Sequence, residues 1–224
     1  MDPAHPPLRT FGRIRSRVIK PRQAALMTNL LPSVAVPEGA FNPGELLPEA
    51  SDVWLEIGFG GGEHMAAQAA RRPDVLILGA EPFLNGVASA LRHIEAGGLT
   101  NIRLLAGDAR DLMASLPDAS LGRMFILFPD PWPKARHVKR RLIQPAFVAE
   151  AARLMKPGAR LRFATDWADY ADQALALIGR SRNFRWLAEG ADDWRRPPAD
   201  HIATRYEEKR LGDCPPIWLD FERL

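Results

Sequence analysis

Short apolar segments alternate with helix-like stretches from Val53 onward, and this alternation constrains the fold more than any other feature of the sequence. The strand candidates are residues 53–57, 75–79, 102–105, 124–128 and 160–164. Helical stretches fall between them, at 63–71, 83–95, 142–155 and, as a short turn, near Leu112. Continuous apolar strands joined by helices are typical of a parallel sheet that is covered on both faces and connected by right-handed crossovers.

Two more strand candidates, at residues 184–187 and 217–221, follow a helix predicted to begin after Asp166. We expect them to form an antiparallel end of the sheet. The sequence therefore predicts an α/β fold with a three-layer, doubly wound, mostly parallel seven-stranded sheet and an antiparallel terminal strand. The length of 224 residues suits a single folded domain, which we place at residues 51–224. Residues 1–50 are predicted to be a basic N-terminal arm and lead-in, partly disordered.

Several classes of protein are disfavoured by composition. Cys214 is the single cysteine, which excludes an intramolecular disulfide and favours a reducing compartment, so we expect a cytoplasmic protein. The five histidines show no metal-ligand spacing, and we expect no metal. No apolar run reaches the roughly 18 residues that cross a bilayer, so we expect no membrane association. We expect a monomer, with a homodimer as the alternative.

The net charge of +3 is concentrated in two basic stretches without acidic residues. The first runs from Arg9 to Arg22 and the second from Lys134 to Arg141, whereas acidic residues outnumber basic ones elsewhere. Two basic stretches on an acidic body favour a polyanionic partner such as nucleic acid. The alternative is that both are simply solvated surface.

A proline-rich loop follows the fourth predicted strand. Prolines at 129, 131 and 133 forbid a helix or an inner strand there, because each fixes its φ angle and lacks an N–H donor. The loop is therefore stiff, and it carries Asp130, Trp132 and Lys134 at the end of a strand, where open α/β sheets bind ligands.

A glycine-rich turn follows the first predicted strand and opens a helix. Gly58 and Gly60 begin a dinucleotide-like pattern, but Glu63 stands where its last glycine belongs. A carboxylate at that helix N-terminus repels a pyrophosphate, which argues against a nicotinamide dinucleotide. S-adenosylmethionine, which is cationic and has no phosphate, fits this turn better.

Acidic residues occur at the ends of four predicted strands. Glu81 is positioned to hold ribose hydroxyls, Asp108 to accept from an adenine amino group, and Glu56 or Asp130 to lie near the methionine end. Any one of them is as well explained as a loop residue or a helix cap. All four at the same sheet edge predict a nucleotide-type ligand.

The sequence closely resembles the bacterial tRNA (guanine-N7)-methyltransferases, which are S-adenosylmethionine-dependent enzymes with a Rossmann-like fold. The resemblance covers nearly all of residues 50–224. The motifs that carry it are PDPWPKARHVKRR at 129–141, EIGFGGG at 56–62, GAE at 79–81, GD at 107–108, TDW at 165–167 and TRYEEKR at 204–210. It implies that residues 51–224 are the methyltransferase domain, that S-adenosylmethionine is the cofactor, and that tRNA is the partner.

The resemblance also implies roles for individual residues. Asp130 would be the catalytic residue. The cofactor residues would be Glu56, Gly58, Gly60, Glu81, Asp108 and Asp130. The substrate-binding residues would be Lys134, Asp166, Thr204, Arg205, Tyr206 and Glu207. The RNA contacts would be Arg136, His137, Val138, Lys139, Arg140 and Arg141.

The resemblance implies transfer of a methyl group to N7 of a variable-loop guanosine, which becomes 7-methylguanosine. Because the N7 lone pair is unprotonated at neutral pH, we expect Asp130 to position groups and stabilise charge, and not to act as a general base. Trp132 or Tyr206 could stack on the base. Three alternatives stay open: an amino-group methyltransferase acting on adenine or cytosine, a small-molecule methyltransferase, and a non-enzymatic RNA-binding module.

Overall fold

Seven β-strands form one sheet in the computed structural model, which describes residues 18–224. The strands are β1 (Asp52–Ile57), β2 (Val75–Ala80), β3 (Ile102–Leu105), β4 (Leu121–Leu127), β5 (Met155–Thr165), β6 (Phe184–Trp186) and β7 (Ile217–Arg223). Their order across the sheet is β3-β2-β1-β4-β5-β7-β6. Strands β1 to β5 are parallel, and β7 lies antiparallel between β5 and β6. The prediction of a mostly parallel seven-stranded α/β sheet with an antiparallel terminal strand is confirmed.

Helices connect the strands and cover both faces of the sheet. The α-helices are α1 (Pro21–Asn29), α2 (Leu31–Val34), α3 (Glu63–Arg71), α4 (Leu84–Gly97), α5 (Ala109–Ser115), α6 (Pro145–Leu154), α7 (Ala168–Gly179), α8 (Asp192–Arg195) and α9 (Arg205–Glu208), with 3-10 helices at Pro43–Glu45 and Ala135–Arg140. The turn expected near Leu112 is therefore the helix α5. Met155, expected to end a helix, instead starts β5, which also includes residues 156–159, and a register shift against β4 accommodates these residues.

Side chains of the strands alternate between two hydrophobic clusters, one on each face. In β1, Leu55 packs with α5, α6 and α7, whereas its neighbour Trp54 packs with α1, α3 and α4. Burial on both faces explains why the strands are continuously apolar. Each fully buried leucine or isoleucine contributes about 1.5–3 kcal/mol, so these clusters dominate the stability of the sheet.

The lead-in, which was predicted to be partly disordered, packs against the domain from α1 onward. Leu26 of α1 and Val34 of α2 are buried in the cluster that contains α4, and the Val36 N–H donates to the Leu104 carbonyl of β3 over 3.0 Å. The local sequence lacks helical periodicity because these side chains become buried only against residues far along the chain. The first basic stretch, which starts at Arg9, lies largely outside the described residues.

Gly62 and Gly158 give a test of what fixes the turn after β1. Both have a positive φ, of 81° and 82° respectively. A Cβ at position 62 would lie 2.6 Å from the Cβ of Ala90 on α4, whereas a Cβ at position 158 would meet nothing within 4 Å.

We expect Gly158→Ala to lower the free energy of unfolding by about 1–2 kcal/mol through backbone strain alone. Gly62→Ala should lower it by about 2–4 kcal/mol, because a steric clash with α4 adds to that strain. Urea denaturation of both variants measures the difference. Equal losses would show that α4 does not pack rigidly on this turn.

Candidate active site

A cavity of about 690 Å³ opens at the carboxyl ends of β1, β2 and β4. It lies where the strand order reverses on either side of β1, the position at which doubly wound sheets bind ligands. Its lining includes Glu56, Gly58, Gly60, Glu81, Asp108, Asp130, Trp132, Arg140, Thr204, Arg205 and Tyr206. The structure thus brings the four predicted strand-end acids and part of the C-terminal motif to one site.

Glu81 joins the two loops that form the floor of the cavity. Its Oε2 accepts from the Gly60 N–H and its Oε1 accepts from the Phe83 N–H, each over 2.8 Å. Burial raises the pKa of the Glu81 carboxyl. The two N–H donors lower this pKa and the charge of nearby Asp130 raises it, and the net shift is upward. Both oxygens keep acceptor capacity, so Glu81 can still bind a hydroxyl in the cavity.

Glu56 is buried at the end of β1, where His64 of α3 contacts it. The Nδ1 atom of His64 lies 2.6 Å from Glu56 Oε2, and Gln68 Nε2 lies 3.1 Å from the other ring nitrogen of His64. Sequence reasoning missed both partners. The sequence did contain a signal for them. His64 and Gln68 lie four residues apart on the helix that follows the glycine turn, so they share one helix face.

Asp108 caps α5 from the third strand end. Its Oδ1 accepts from the Arg110 N–H over 3.0 Å, and its Oδ2 lies 2.9 Å from the Arg110 guanidinium. The residue therefore sits at the predicted edge of the cavity and is already paired with a neighbouring cation. If Asp108 accepts a hydrogen bond from a ligand, it does so while it remains paired with Arg110.

Asp130 lies on the loop between β4 and the 3-10 helix. Its side chain is exposed along the cavity, and desolvation by the surrounding walls raises the pKa of its carboxyl. The flanking residues Phe128 and Trp132 have positive φ values of 52° and 43°. Such backbone strain costs about 1–3 kcal/mol per residue and persists only where the surroundings impose it.

Arg141 helps to hold the strained backbone of the Asp130 loop in place, whereas the sequence predicted that it contacts RNA. The residue is 2% exposed, and its Nε donates to the Pro131 carbonyl over 2.7 Å. Its remaining nitrogens donate to Gln173 and Asp169 of α7, each over 2.7 Å. Because all three nitrogens are engaged inside the protein, Arg141 holds the Asp130 loop against α7 and presents no guanidinium to a phosphate.

The other basic residues of this stretch form an exposed surface on the 3-10 helix. Arg136 and Lys139 are exposed, and Arg140 covers the Trp132 ring at 5.0 Å. The pKa of His137 is lowered by desolvation and by the positive charges of Arg140, Arg136 and Lys134. Val138 is half-buried beside them. This surface begins directly beside the cavity.

The C-terminal motif closes the far side of the cavity. Thr204 N–H donates to Glu207 Oε2 over 2.8 Å, and His201 contacts Glu207 Oε1 at 2.9 Å. Burial raises the pKa of Glu207, but hydrogen bonds from His201 and Thr204 outweigh it and hold that pKa below its usual value. The bonds make Glu207 an organiser of this segment.

Tyr206 brings Asp166 to the edge of the site. The Tyr206 hydroxyl donates to Asp166 Oδ1 over 3.3 Å, and its ring lies 5.5 Å from the ring of Phe128. Desolvation and the Asp166 charge raise the pKa of Tyr206 to about 12. Asp166 is buried behind Tyr206 and Lys134 is exposed outside, so both lie beyond the cavity lining.

The part of the chain that the structure describes, residues 18–224, contains neither a metal-binding cluster nor a membrane-spanning helix. This part of the chain holds no group of three or more His, Cys, Asp or Glu side chains arranged to bind a metal ion. Its helices are also too short or too polar to cross a membrane.

Comparison with known proteins relates the whole chain to one group of enzymes. A family model described as a putative methyltransferase matches residues 50–218. A tRNA (guanine-N(7)-)-methyltransferase of Caulobacter sp. (strain K31) is 63% identical over 220 residues, with 98% of this chain and 97% of the relative covered. A protein of the same name from Hyphomonas neptunium is 53% identical over 216 residues, with 96% of this chain and 99% of the relative covered.

Solved methyltransferase structures share the fold at low sequence identity. An rRNA methylase from Streptococcus thermophilus matches with a TM-score of 0.53 at 12% identity, over 81% of this chain and 92% of its own. A putative methyltransferase from Streptococcus mutans, solved in complex with SAH, matches with a TM-score of 0.53 at 14% identity, over 92% of this chain and 100% of its own. At these identities the similarity establishes the architecture.

The position of Arg141 predicts a large stability effect. Arg141→Met keeps most of the side-chain volume but leaves the Pro131 carbonyl and Gln173 without their donor, so we expect the free energy of unfolding to fall by about 2–4 kcal/mol. The same substitution at exposed Arg136 should change it by less than about 0.5 kcal/mol. Denaturant titration compares the two, and similar values for both variants would contradict the assignment of Arg141 to the loop.

Proposed function

This chain belongs to the tRNA (guanine-N7)-methyltransferase family, and we propose that it transfers the methyl group of S-adenosylmethionine to N7 of a guanosine in the variable loop of tRNA. The observation that carries the proposal is the position of the Asp130 loop. It separates an acid-lined cavity from an exposed basic helix, so that a cationic cofactor and a polyanionic substrate meet at one carboxylate. Such a reaction belongs in the cytoplasm, where tRNA is found.

The cavity suits S-adenosylmethionine because of its charge. Glu56, Glu63 and Glu81 line it near the glycine turn, and they would repel the pyrophosphate of a dinucleotide while favouring a sulfonium and an ammonium group. The buried Ser89 Oγ also lines it and has no hydrogen-bond partner within residues 18–224. A ligand that supplies an acceptor or donor there would satisfy this orphaned hydroxyl.

Each acid has a separate task toward the cofactor. Glu81 accepts from the ribose hydroxyls, Asp108 from the adenine amino group, and Glu56 attracts the methionine ammonium. Gly58 and Gly60 let the ligand lie against the backbone of the turn. When bound, S-adenosylmethionine supplies a methyl group on a positively charged sulfur and is converted to S-adenosylhomocysteine.

Asp130 acts on the transfer by position and charge. The N7 lone pair of guanine is already available at neutral pH, so the protein needs no base to expose it. Aligning the nitrogen with the methyl group contributes several kcal/mol through proximity, on the order of the effective-molarity effects of intramolecular reactions. As positive charge moves to the purine ring, the Asp130 carboxylate stabilises it.

The C-terminal segment and the loop complete the guanosine pocket. Tyr206 presents its ring beside Phe128, and Asp166 holds the Tyr206 hydroxyl from behind. Thr204 and Arg205 form the far wall, Glu207 holds Thr204 in place through its backbone N–H, and Lys134 lies at the entrance. Trp132 already carries Arg140 on its ring, which makes Tyr206 the better candidate for stacking on the base.

The exposed helix at 135–140 contacts the RNA backbone. Arg136 and Lys139 bind phosphates, Arg140 lines the cavity beside them, and His137 and Val138 are half-buried on the same helix. Contacts of this type fix the position of the RNA without reading its sequence. Selection of guanosine then depends on the pocket.

Mapping the product tests the proposal directly. The full-length protein is incubated with tRNA and methyl-labelled S-adenosylmethionine, and the tRNA is cleaved by borohydride and aniline, which break the chain at 7-methylguanosine. We expect one cleavage in the variable loop. A label on an exocyclic amino group, or cleavage at another guanosine, would overturn the proposed reaction or the proposed position.

Asp130→Asn tests the catalytic role while keeping the shape of the side chain. Loss of the carboxylate charge should lower the single-turnover rate by about 10²–10³-fold, whereas the Kd for tRNA should stay within about threefold. Asp111→Asn, on the exposed face of α5, is the matched control and should leave both unchanged. A near-normal single-turnover rate in Asp130→Asn would remove Asp130 from catalysis.

Replacing Arg136 and Lys139 together by alanine tests the RNA surface. We expect weaker tRNA binding and a salt dependence whose slope falls by about 2, one for each lost phosphate contact. Arg140 is kept because it packs on Trp132. The control pair Arg180→Ala and Arg182→Ala removes the same charge from exposed positions after α7. If the two pairs have equal effects on tRNA binding, the 135–140 helix is solvated surface and not a specific RNA contact.

A further inference from the structure

A buried pair of side chains lies beneath the cavity, where Glu56 of β1 meets His64 of α3. Glu56 is 3% exposed and His64 is 1% exposed, and His64 Nδ1 lies 2.6 Å from Glu56 Oε2. Two other rings pack against the imidazole. The Phe125 ring meets it edge-on at 4.8 Å, and the His201 ring stacks on it at 6.0 Å.

The hydrogen bonds around His64 determine which ring nitrogen carries the proton. Gln68 Nε2 lies 2.8 Å from the Asp200 carbonyl oxygen, which can only accept, so this atom is the amide NH₂ group. The same NH₂ group lies 3.1 Å from His64 Nε2. Because an amide NH₂ donates and does not accept, His64 Nε2 must be the unprotonated nitrogen.

The remaining proton of the neutral ring therefore sits on Nδ1 and points at Glu56. The hydrogen bond from Nδ1–H to the carboxylate is charge-assisted and fixes one oxygen of Glu56. The Glu56 side chain is thereby held in one orientation. Its other oxygen, Oε1, is not used in the bond to His64. Without such a donor, a carboxylate this deeply buried would be strongly disfavoured.

Asp200 is a firm anchor for the amide of Gln68. Its carboxylate accepts from Arg162 over 2.6 Å and from Arg123 over 2.7 Å. Burial raises the pKa of Asp200, but the two guanidinium groups outweigh it and hold that pKa at about 2. The orientation of Gln68 is thus imposed by a charged cluster on the next strands of the sheet.

We propose that His64 is a positioning residue that donates Nδ1–H to Glu56, with its tautomer fixed by Gln68, so that Glu56 is held as an oriented carboxylate for the cofactor ammonium. The inference rests on the proposed function of the cavity. It adds a residue that touches neither cofactor nor tRNA and acts through Glu56. The chemistry also explains why α3 carries a histidine and a glutamine on its buried face.

Two substitutions separate the donor to Glu56 from the bulk of the ring. The amide nitrogen of asparagine takes nearly the place of Nδ1, whereas that of glutamine takes the place of Nε2. His64→Asn should therefore keep the Kd for S-adenosylhomocysteine within about threefold of the wild type, and His64→Gln should weaken it by about tenfold or more. Isothermal titration calorimetry measures both, and His64→Gln should raise KM for S-adenosylmethionine more than it lowers kcat.

Equal weakening in both variants, or none in His64→Gln, would overturn the proposal, because a packing role does not distinguish the two amides. Nitrogen-15 NMR of the wild-type imidazoles gives a second readout, with the His64 signals assigned in the wild-type protein itself by through-bond correlation to the backbone. A neutral ring protonated on Nδ1 is expected, and an Nε2-protonated or doubly protonated ring would overturn the proposal even if both variants failed to fold. Failure of the wild type to bind S-adenosylhomocysteine would instead count against the proposed function.

Discussion

Hydrogen bonding between β1 and its two parallel neighbours is the constraint on which the site depends. In register, Ile57 pairs with Ala80 of β2 and with Ile126 of β4. The three strands consequently end at almost the same height, and the residues that follow them share one edge. A one-residue slip in either pairing would turn the strand-end side chains to the opposite face.

The parts of the molecule that follow from local sequence were predictable. Continuous apolar strands such as 53–57 identify a sheet buried on both sides, and the prolines at 129, 131 and 133 identify a loop without regular structure. The acids at strand ends could be placed together because a parallel sheet aligns those ends. The same reasoning gave the fold class and located the cavity, since both depend on spacing along the chain.

What escaped prediction depends on contacts between distant segments. From the sequence, Arg141 is indistinguishable from the other cations of its basic stretch. Only its burial against α7 shows that it supports the Asp130 loop. Glu207 reads as a substrate residue, yet its hydrogen bonds to Thr204 and His201 show that it also shapes its own segment. Similarly, Leu26 shows no helical pattern because α4 supplies the surface that buries it. Side-chain partners of this kind are set by tertiary packing, which a single sequence does not display.

Phe128 and Trp132 impose a conflict between heat resistance and activity on any redesign of this chain. Both aromatic residues occupy the left-handed region of backbone space, which glycine adopts without a steric penalty. A design that optimises thermal tolerance alone would choose glycine at either position, because relieving such strain is a general route to stabilisation. The same replacement would remove the ring beside Tyr206 or the ring beneath Arg140 and would loosen the backbone on either side of Asp130. Thermostable versions of the protein are therefore better sought on the helices remote from this loop.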